Sequence, residues 1–352
     1  MMNETPKQLG YYFPAEWTPH EATWLTWPYR EDSFPGVLEQ IYSPYCRFIS
    51  YISRAEKVCI LVPSQQERLR AEEMIKLAGA NLSMVEFYVY STNDVWCRDH
   101  GPAFLVHRHN AASKVIVDWE FNAWGSKYPS DLDNGVPAFV ATQLGLQVFR
   151  PGIVMEGGSV DFNGAGTLLT TEACLLNPNR NPHLSQANIE EYLREYYGVD
   201  QILWLEDGII GDDTDGHVDD ICRFVNESTV IAVVEYRDSD ENYAPLQKNL
   251  KRLKTFRLID GRQPDVIELP MPKPVEYLGQ RLPASYANFY ICNSGVMVPV
   301  FRCKEDSVAL KIIEQAFPGR TIYDIDCSLI VSGLGALHCL SQQEPLAAGT
   351  VK

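Results

Sequence analysis

The 352-residue sequence contains no run of apolar residues long enough to cross a membrane, and Met1 to Gly10 contain neither a basic cluster nor an apolar segment. A membrane-spanning helix needs about 20 consecutive apolar residues, and a secretory signal places a charged region before an apolar one. These absences predict a cytoplasmic protein with no membrane partner.

Paired cysteines are lacking as well. The nine cysteines are scattered, their number is odd, and no two of them form a CxxC pair. This pattern favours reduced thiols over a disulfide framework or a thiolate zinc site. A free cysteine is usually a small buried hydrophobic residue, so we expect roughly eight of the nine to be chemically inert.

The sequence also has little positive charge. Its formal net charge is −16, and Lys and Arg form no dense cluster. A nucleic-acid partner would favour a basic face, so none is predicted. An acidic field attracts small cationic ligands, although a solvated acidic surface explains the same balance.

What the chain does have is an alternation of strand-like and helix-like segments. Runs rich in β-branched and aromatic residues predict strands at 58–62, 86–90, 114–119, 167–171, 230–234 and 296–301. Apolar positions at helical spacing predict helices at 65–77, 185–197 and 306–317. The alternation predicts the α/β class, and the lack of a Ser/Gly-rich linker predicts a single domain over residues 1–352. No clean repeat period is visible in the letters, although recurring α/β units would suit a propeller.

Three tryptophans stand within the segment Trp17 to Pro28. Exposing so much aromatic surface costs free energy, so core packing around an early strand is the favoured interpretation. The alternative is an aromatic wall for a bound cation.

Two loops present a single carboxylate next to glycine. The segment Asn93 to Pro102 places Asp99 between strand-like runs and ends in Gly-Pro, which suits a carboxylate facing a cleft, with Trp96 as an aromatic neighbour. Alternatively, Arg98 and Asp99 form an ordinary surface pair. Glu156 precedes two glycines, which indicates a turn where the backbone closely approaches another group. A solvated Glu at an ordinary Gly-Gly turn explains that pattern equally well.

The segment Gly211 to Asp220 is rich in Asp and contains one histidine. His217 and Asp219 would point the same way if a strand began here, and a histidine oriented by a carboxylate is a general acid–base arrangement. A divalent metal site would use the same residue types. An acidic helix start explains the aspartates but not the histidine.

The segment Ser332 to Gln343 holds the cysteine best suited to chemistry. Gly333 and Gly335 would permit an unusual backbone path just before Cys339, and the imidazole of His338 stands next to it. A thiol reacts as its thiolate, which forms more readily near cations, helix N-termini or imidazolium groups. Cys339 is therefore the predicted nucleophile, with a structural role as the alternative.

Together these segments supply one thiol, an acid–base histidine and several carboxylates, without matching basic residues. Thiol and serine hydrolases of peptide bonds need only one orienting acid or amide. A guanidinium group is a planar cation, and two carboxylates can bind it through forked hydrogen bonds. The surplus of carboxylates therefore favours a cationic substrate.

The same segments resemble the agmatine deiminase family of the guanidino-group-modifying (pentein) superfamily. The resemblance runs from Pro14-Ala-Glu-Trp17 to Gln342-Gln-Glu-Pro345. It includes Phe121-Asn-Ala-Trp-Gly125, Gly166-Thr-Leu-Leu-Thr-Thr-Glu172 and Leu176-Asn-Pro-Asn-Arg-Asn-Pro182. It implies a five-bladed α/β propeller of repeated ββαβ-type modules, with the active site in a central channel and with neither metal nor cofactor.

The resemblance also implies a hydrolase that converts agmatine to N-carbamoylputrescine and ammonia through a covalent amidino-thioether, as a step in putrescine biosynthesis. The residues that match the family motifs are Cys339 as the nucleophile, His217 as the acid–base, Glu156 as its carboxylate partner, Asp99 and Asp219 as the guanidinium-binding carboxylates, and Trp96 and Asp213 at the far end of the substrate. Two departures leave substrate selection open, because Leu334 interrupts a glycine run and Cys97 stands inside the Trp-x-Arg-Asp motif.

Three alternatives stay open from the sequence. A deiminase of free or peptidyl arginine would use the same fold. A metallohydrolase would use His217, Asp219 and Cys339. A polyamine-binding protein would need no chemistry at all. The sequence also leaves open whether the chain forms a homo-oligomer.

Overall fold

Strands and helices alternate along the chain in a computed structural model, which describes residues 4–110 and 113–347. Both ends of the predicted domain, residues 1 and 352, lie outside the described residues. The strands are β1 (Tyr11–Tyr12), β2 (His20–Thr26), β3 (Lys57–Val62), β4 (Val85–Val89), β5 (Ala103–His107), β6 (Lys114–Val117), β7 (Gln147–Phe149), β8 (Val160–Phe162), β9 (Thr167–Thr171), β10 (Gln201–Leu205), β11 (Cys222–Phe224), β12 (Thr229–Val234), β13 (Asp265–Pro270), β14 (Glu276–Tyr277), β15 (Gln280–Arg281), β16 (Tyr290–Cys292), β17 (Gly295–Val300), β18 (Ile322–Asp326) and β19 (Ser341–Pro345). The helices and short helical turns are α1 (Leu38–Ile52), α2 (Gln65–Leu77), α3 (Cys97–His100), α4 (Ala123–Ser126), α5 (Val136–Leu144), α6 (Glu172–Leu175), α7 (Gln186–Tyr197), α8 (Tyr243–Leu253), α9 (Glu305–Ala316) and α10 (Leu337–Leu340).

Five sheets of the described residues share one strand arrangement. In each, one strand (β2, β6, β9, β12 or β17) has an antiparallel neighbour on one side and a parallel neighbour on the other. A parallel neighbour requires a crossover connection, and α1, α5, α7, α8 and α9 lie in these five crossovers. The full strand orders are β19–β2–β3–β4, β1–β5–β6–β7, β10–β9–β8, β11–β12–β13 and β16–β17–β18. The α/β class is confirmed. The chain also contains a structural repeat that is not visible in its sequence, because the order of strands and helices recurs whereas the residues do not.

The predicted elements with the strongest periodicity lie where expected. Helix α2 begins and ends at the predicted residues, and Ser64 caps it by accepting a hydrogen bond from the Glu67 backbone N–H over 3.2 Å. Ser185, predicted as the first residue of a helix, is instead the N-cap of α7 and forms a capping box with Asn188. Such a cap satisfies backbone donors that the first helical turn leaves free.

The tryptophan-rich segment belongs to the core. Trp24 and Trp27 are fully buried, and Trp27 stacks on Tyr42 with 5.3 Å between ring centroids. The indole N–H of Trp24 donates to Oε2 of Glu344 over 2.8 Å. Trp17 is half-buried and packs against the same core. The core interpretation is confirmed for this segment, and the aromatic-wall alternative is wrong.

Strand β19 directly follows the segment that holds the predicted nucleophile. It pairs antiparallel with β2, so that Ser341 lies opposite Leu25. The short helix α10, which contains Cys339, directly precedes this strand. All nine cysteines lie within the described residues and none is in a disulfide. Across residues 4–110 and 113–347, no helix has both the length and the apolar character needed to cross a bilayer.

Candidate active site

A cavity of about 460 Å³ opens between the nucleophile segment and the β14–β15 hairpin. Cys339 lines it together with three other predicted residues, Trp96, Asp99 and Asp213. Leu278 at the tip of the hairpin lines the same cavity and is 78% exposed, which places the hairpin at the mouth. The fold therefore brings predicted residues from three separate segments to one cavity.

The backbone before Cys339 differs from the path expected at its glycines. The residue with a left-handed conformation is Leu334, with φ of 73°, whereas Gly333 and Gly335 do not have positive φ. Both glycines instead make room for an indole: a Cβ on Gly335 would lie 2.6 Å from Cζ3 of Trp96, and one on Gly333 would lie 2.9 Å from Cζ2. The expectation that the glycines provide unusual backbone angles is wrong. They allow close packing of Trp96 against the nucleophile segment.

The Cys339 thiol is buried among acids. Cys339 is only 4% exposed, and its Sγ lies 3.6 Å from Oδ2 of Asp219. Burial raises the pKa of Cys339 well above 9, and the negative charges of Asp219, Asp220 and Asp99 raise it further. The resting group at neutral pH is therefore the thiol, and a bound cation is what would favour its ionisation.

Asp99 is held by two donors from different segments. Its Oδ1 accepts from the Gly158 backbone N–H and its Oδ2 from the Trp124 indole N–H, each over 3.0 Å. Burial raises the pKa of Asp99 to about 6 against the opposing effect of His217, and the charges of Asp219 and Glu156 add to the rise. The surface-pair alternative for Asp99 is wrong, because the residue is buried and lines the cavity.

Asp219 lies in a 3-10 turn over Val218–Asp220, and the strand predicted here begins only at Cys222. Its Oδ2 accepts from Nδ1 of His338 over 2.6 Å, whereas the buried Oδ1 has no hydrogen-bond partner among the described residues. Burial would raise the pKa of Asp219, but the hydrogen bond and charge of His338 lower it overall. A buried, ionised oxygen normally accepts a hydrogen bond. A ligand with several donors, bound beside Cys339, would provide that bond.

His217 is fully buried between two carboxylates. Its Nδ1 lies 3.6 Å from Oδ1 of Asp99 and its Nε2 lies 3.7 Å from Oε2 of Glu156. Burial alone would lower the pKa of His217, but Asp99, Cys174 and Glu156 raise it well above 6.5. Catalytic hydrogen bonds are often long without substrate, and the ring is placed to exchange protons at either nitrogen.

Glu156 is held on the side away from His217 by an arginine. Nε of Arg180 donates to Oε1 of Glu156 over 2.6 Å, and both side chains are fully buried. Burial would raise the pKa of Glu156, but the charge of Arg180 lowers it overall. The solvated-Glu alternative is therefore wrong. The close approach predicted at the following glycines is present, because a Cβ on Gly157 would lie 2.2 Å from the carbonyl oxygen of Arg98.

The described residues contain one group with metal-ligand geometry at this position. Potential ligand atoms of Glu156, Cys174 and His217 lie within 4.8 Å of one another. Nε of Arg180 already donates a hydrogen bond to a Glu156 oxygen, and its Nη2 lies 3.9 Å from the sulfur of Cys174. A buried guanidinium in contact with two of the ligands opposes a divalent cation. Within the described residues, the metallohydrolase set of His217, Asp219 and Cys339 does not form such a group.

The outer part of the cavity holds the residues predicted for the far end of a substrate. Trp96 is 4% exposed and forms part of the wall. Asp213 accepts from the Tyr128 hydroxyl over 2.8 Å, and Nζ of Lys127 lies 3.5 Å from its other oxygen. The Asp213 carboxylate is thus partly neutralised by Lys127 before any ligand binds.

Trp124 reaches Asp99 from a strained turn that the sequence did not single out as part of the site. Ala123, Trp124, Gly125 and Ser126 all have positive φ, so α4 is a left-handed turn. Such a conformation costs roughly 1–2 kcal/mol per non-glycine residue, and backbone strain of this kind concentrates at functional sites. The signal available in the sequence was the match of Phe121-Asn-Ala-Trp-Gly125 to the family.

Comparison with known proteins identifies the family of the chain. A family model described as Porphyromonas-type peptidyl-arginine deiminase matches residues 12–345, so the chain belongs to that family. Several relatives that match nearly the whole chain are named agmatine deiminase, most of them provisionally. A Legionella pneumophila protein, provisionally named an agmatine deiminase, is 41% identical over 98% of this chain and 97% of its own length.

Two solved structures agree with the fold. Agmatine deiminase of Enterococcus faecalis is 33% identical with a TM-score of 0.91, and the match covers 98% of each chain. A cysteine-to-serine variant of C. jejuni agmatine deiminase with substrate bound is 36% identical with a TM-score of 0.86, over 95% of this chain and 96% of that one. The predicted resemblance to the agmatine deiminase family is confirmed.

Proposed function

We propose that the protein hydrolyses the guanidinium group of agmatine to N-carbamoylputrescine and ammonia. The observation that carries the proposal is the buried thiol of Cys339, which faces Asp219 at 3.6 Å and shares a cavity with Asp99. Two carboxylates beside a nucleophile suit a planar cation with several donors. The names of the relatives and the substrate-bound cysteine-to-serine variant support the same reaction.

In the first half-reaction, Asp99 and Asp219 hold the guanidinium so that its central carbon faces Sγ of Cys339. The cation favours loss of the thiol proton to solvent, and the thiolate forms a bond to the carbon. His217, whose raised pKa keeps it an imidazolium at neutral pH, gives a proton to the departing amino group. Ammonia leaves and a cationic amidino-thioether remains on Cys339.

In the second half-reaction, His217 accepts a proton from water, and the resulting hydroxide adds to the amidino carbon. The tetrahedral intermediate collapses with cleavage of the C–S bond, and the electron pair returns to the sulfur. The urea group of the product loses its extra proton to the Cys339 thiolate, which restores the resting thiol. Division of one displacement into two steps is the advantage of covalent catalysis, and Glu156 stabilises the imidazolium in both.

Trp96 and Asp213 are the groups we propose at the amine end of agmatine. A substrate with an α-carboxylate would need a free cation in the cavity. Arg30 lines the cavity, but its Nη2 lies 3.3 Å from Oδ2 of Asp32. Free arginine is therefore the less suitable substrate. Ammonia release from agmatine, arginine and an arginyl peptide, measured side by side, should be greatest for agmatine.

We also propose that the five similar sheets are the blades of a propeller within a single domain, residues 1–352, with the active site at its centre. The support is the shared strand arrangement and the pairing of β19 with β2, which joins late and early parts of the chain. A cytoplasmic role in putrescine biosynthesis would follow from the proposed product.

The decisive experiment is mass spectrometry of enzyme quenched in acid during turnover of agmatine. An amidine adduct is expected on the peptide containing Cys339. The Cys339→Ser variant should be nearly inactive, whereas Cys303→Ser should retain activity, because Cys303 is the one half-buried cysteine and does not line the cavity. Substantial turnover by Cys339→Ser would disprove the nucleophile. Affinity for putrescine without ammonia from any guanidine would instead indicate a polyamine-binding protein.

A further inference from the structure

Asn288 is a fully buried residue that contacts the nucleophile segment at several points. Its Oδ1 accepts from the backbone N–H of His338 over 3.0 Å and from that of Cys339 over 3.3 Å. Its Nδ2 lies 3.0 Å from Sγ of Cys339 and 2.9 Å from Oδ1 of Asp220. Oxygen and nitrogen of an amide are distinguished by their partners. Two backbone donors fix the oxygen, so the NH2 group must face the sulfur and the carboxyl group.

We propose that Asn288 is a further catalytic residue, which directs Sγ of Cys339 toward the substrate and stabilises its thiolate by donating an N–H to the sulfur. The role of Asn288 in the reaction rests on the proposed function, whereas its effect on the ionisation of the Cys339 thiol does not. The same donor serves twice, because the thiolate forms before attack and forms again when the C–S bond breaks. No co-reactant beyond guanidine and water is required.

The charges around the sulfur show why such a donor matters. Asp99, Asp219 and Asp220 all oppose ionisation of the thiol and raise the pKa of Cys339, whereas the hydrogen bond from Asn288 lowers it. The Asn288 amide is neutral, so it stabilises the anion without neutralising the carboxylates that a guanidinium needs. Hydrogen bonds to charged groups contribute more than those between neutral groups.

Asp220 is the positioning residue in this arrangement. It takes the second N–H of Asn288, and its own backbone oxygen accepts from Ser285 over 2.7 Å. Burial raises the pKa of Asp220 well above 3.8, and the charges of Asp219 and Asp212 raise it further. The Asp220 carboxyl group fixes the orientation of the amide by accepting its second N–H, which leaves the first N–H directed at the sulfur.

The test measures the rate at which iodoacetamide alkylates Cys339, from pH 7 to 10.5, with the product assigned by mass spectrometry of the Cys339 peptide. Asn288→Asp keeps the shape and the oxygen that binds the two backbone donors, but places an oxygen against the sulfur. We expect alkylation at pH 8 to be slower by at least about tenfold, with the rise in rate moved upward by about one pH unit or more. With agmatine, kcat should fall while KM changes little.

The matched control is Asn249→Asp, another buried asparagine that bridges backbone groups, at Glu206 and Asp207. It should leave the pH profile of Cys339 unchanged. If Asn288→Asp does not fold, Asn288→Ser removes the amide donor without adding charge and should give the same direction of change. A folded variant at position 288 with the wild-type alkylation rate and pH profile would overturn the proposal. Because the alkylation assay contains no guanidine, its result can be interpreted even if agmatine proves not to be the substrate.

Discussion

His338 lies between two acids, with Nδ1 2.6 Å from Oδ2 of Asp219 and Nε2 2.8 Å from Oε2 of Glu16. The lowered pKa values of Asp219 and Glu16 keep both carboxylates ionised, so the ring donates to each. One Asp219 oxygen is thereby fixed, and the other has no partner among the described residues. We propose that this second oxygen binds the guanidinium.

His338→Asn and His338→Leu should differ, because the amide of asparagine can replace the N–H that reaches Asp219. A hydrogen bond to a charged group contributes about 1.5–3 kcal/mol. We therefore expect kcat/KM for agmatine to fall by about 10- to 150-fold in His338→Leu, mainly through KM, and by less in His338→Asn. Steady-state kinetics would test this, and equal losses in the two variants would contradict it.

Gly158→Ala should disable the site without a change in charge. The added Cβ would lie 2.6 Å from Nδ1 of His217 and 2.8 Å from Oδ1 of Asp99. A displacement of about 1 Å among reacting groups can cost about 10²-fold in rate, so we expect a loss of at least that size in kcat/KM. Gly135→Ala is the control, because its Cβ would meet only the hydroxyl end of Tyr90. Similar activities for the two variants would argue against a rigid site.

The residues proposed for the reaction could be singled out in the sequence because each has a distinctive type in a distinctive local setting. Cys339 follows glycines, His217 stands among aspartates, and Glu156 precedes Gly-Gly. Their mutual positions could not be predicted from spacing, since they depend on how separate sheets pack. Even the local reason was misjudged at Gly335, whose role is to admit Trp96.

The partners that hold these groups could not be assigned from the sequence. Asn288 stands outside every segment singled out above, and Arg180 lies in the family match Leu176-Asn-Pro-Asn-Arg-Asn-Pro182, where nothing in the neighbouring residues indicates its role. Their importance follows from burial, because a polar group removed from water must be paired within the protein. The residues paired with them, Cys339 and Glu156, are 51 and 24 positions away in the chain.

As the pH is lowered, kcat/KM should begin to fall near pH 6, and this fall is the acid limb of its pH profile. Asp99 has a pKa raised to about 6, so its carboxylate is lost as the pH falls through that value, while Asp219 remains ionised because its pKa is lowered. His217 stays protonated over the same range because its pKa is raised well above 6.5. Below pH 6 we expect about a tenfold loss per pH unit. A limb at pH 4.5 or lower would contradict the assignment to Asp99, and Asp99→Asn should show low activity with no such limb.

Exhaustive chelation should leave activity intact. The Glu156–Cys174–His217 group is already in contact with the guanidinium of Arg180, which lies 2.6 Å from a Glu156 oxygen. Ammonia release would be measured before and after dialysis against a chelator, and again after separate addition of Mg²⁺, Mn²⁺ and Zn²⁺. Loss of activity with recovery by one of these ions would show that a metal takes part.

The antiparallel pairing of β19 with β2 places Ser341 opposite Leu25. During synthesis, β2 therefore lacks this neighbour until residues 341–345 have been added. Glu16 and His338, separated by 322 positions, meet under the same constraint. A ribosome-bound chain interrupted before α10 would carry Asp99, Glu156, His217 and Asp219 but not Cys339, the proposed nucleophile. The fold thus keeps the proposed reaction from starting until residues 337–345 have been added.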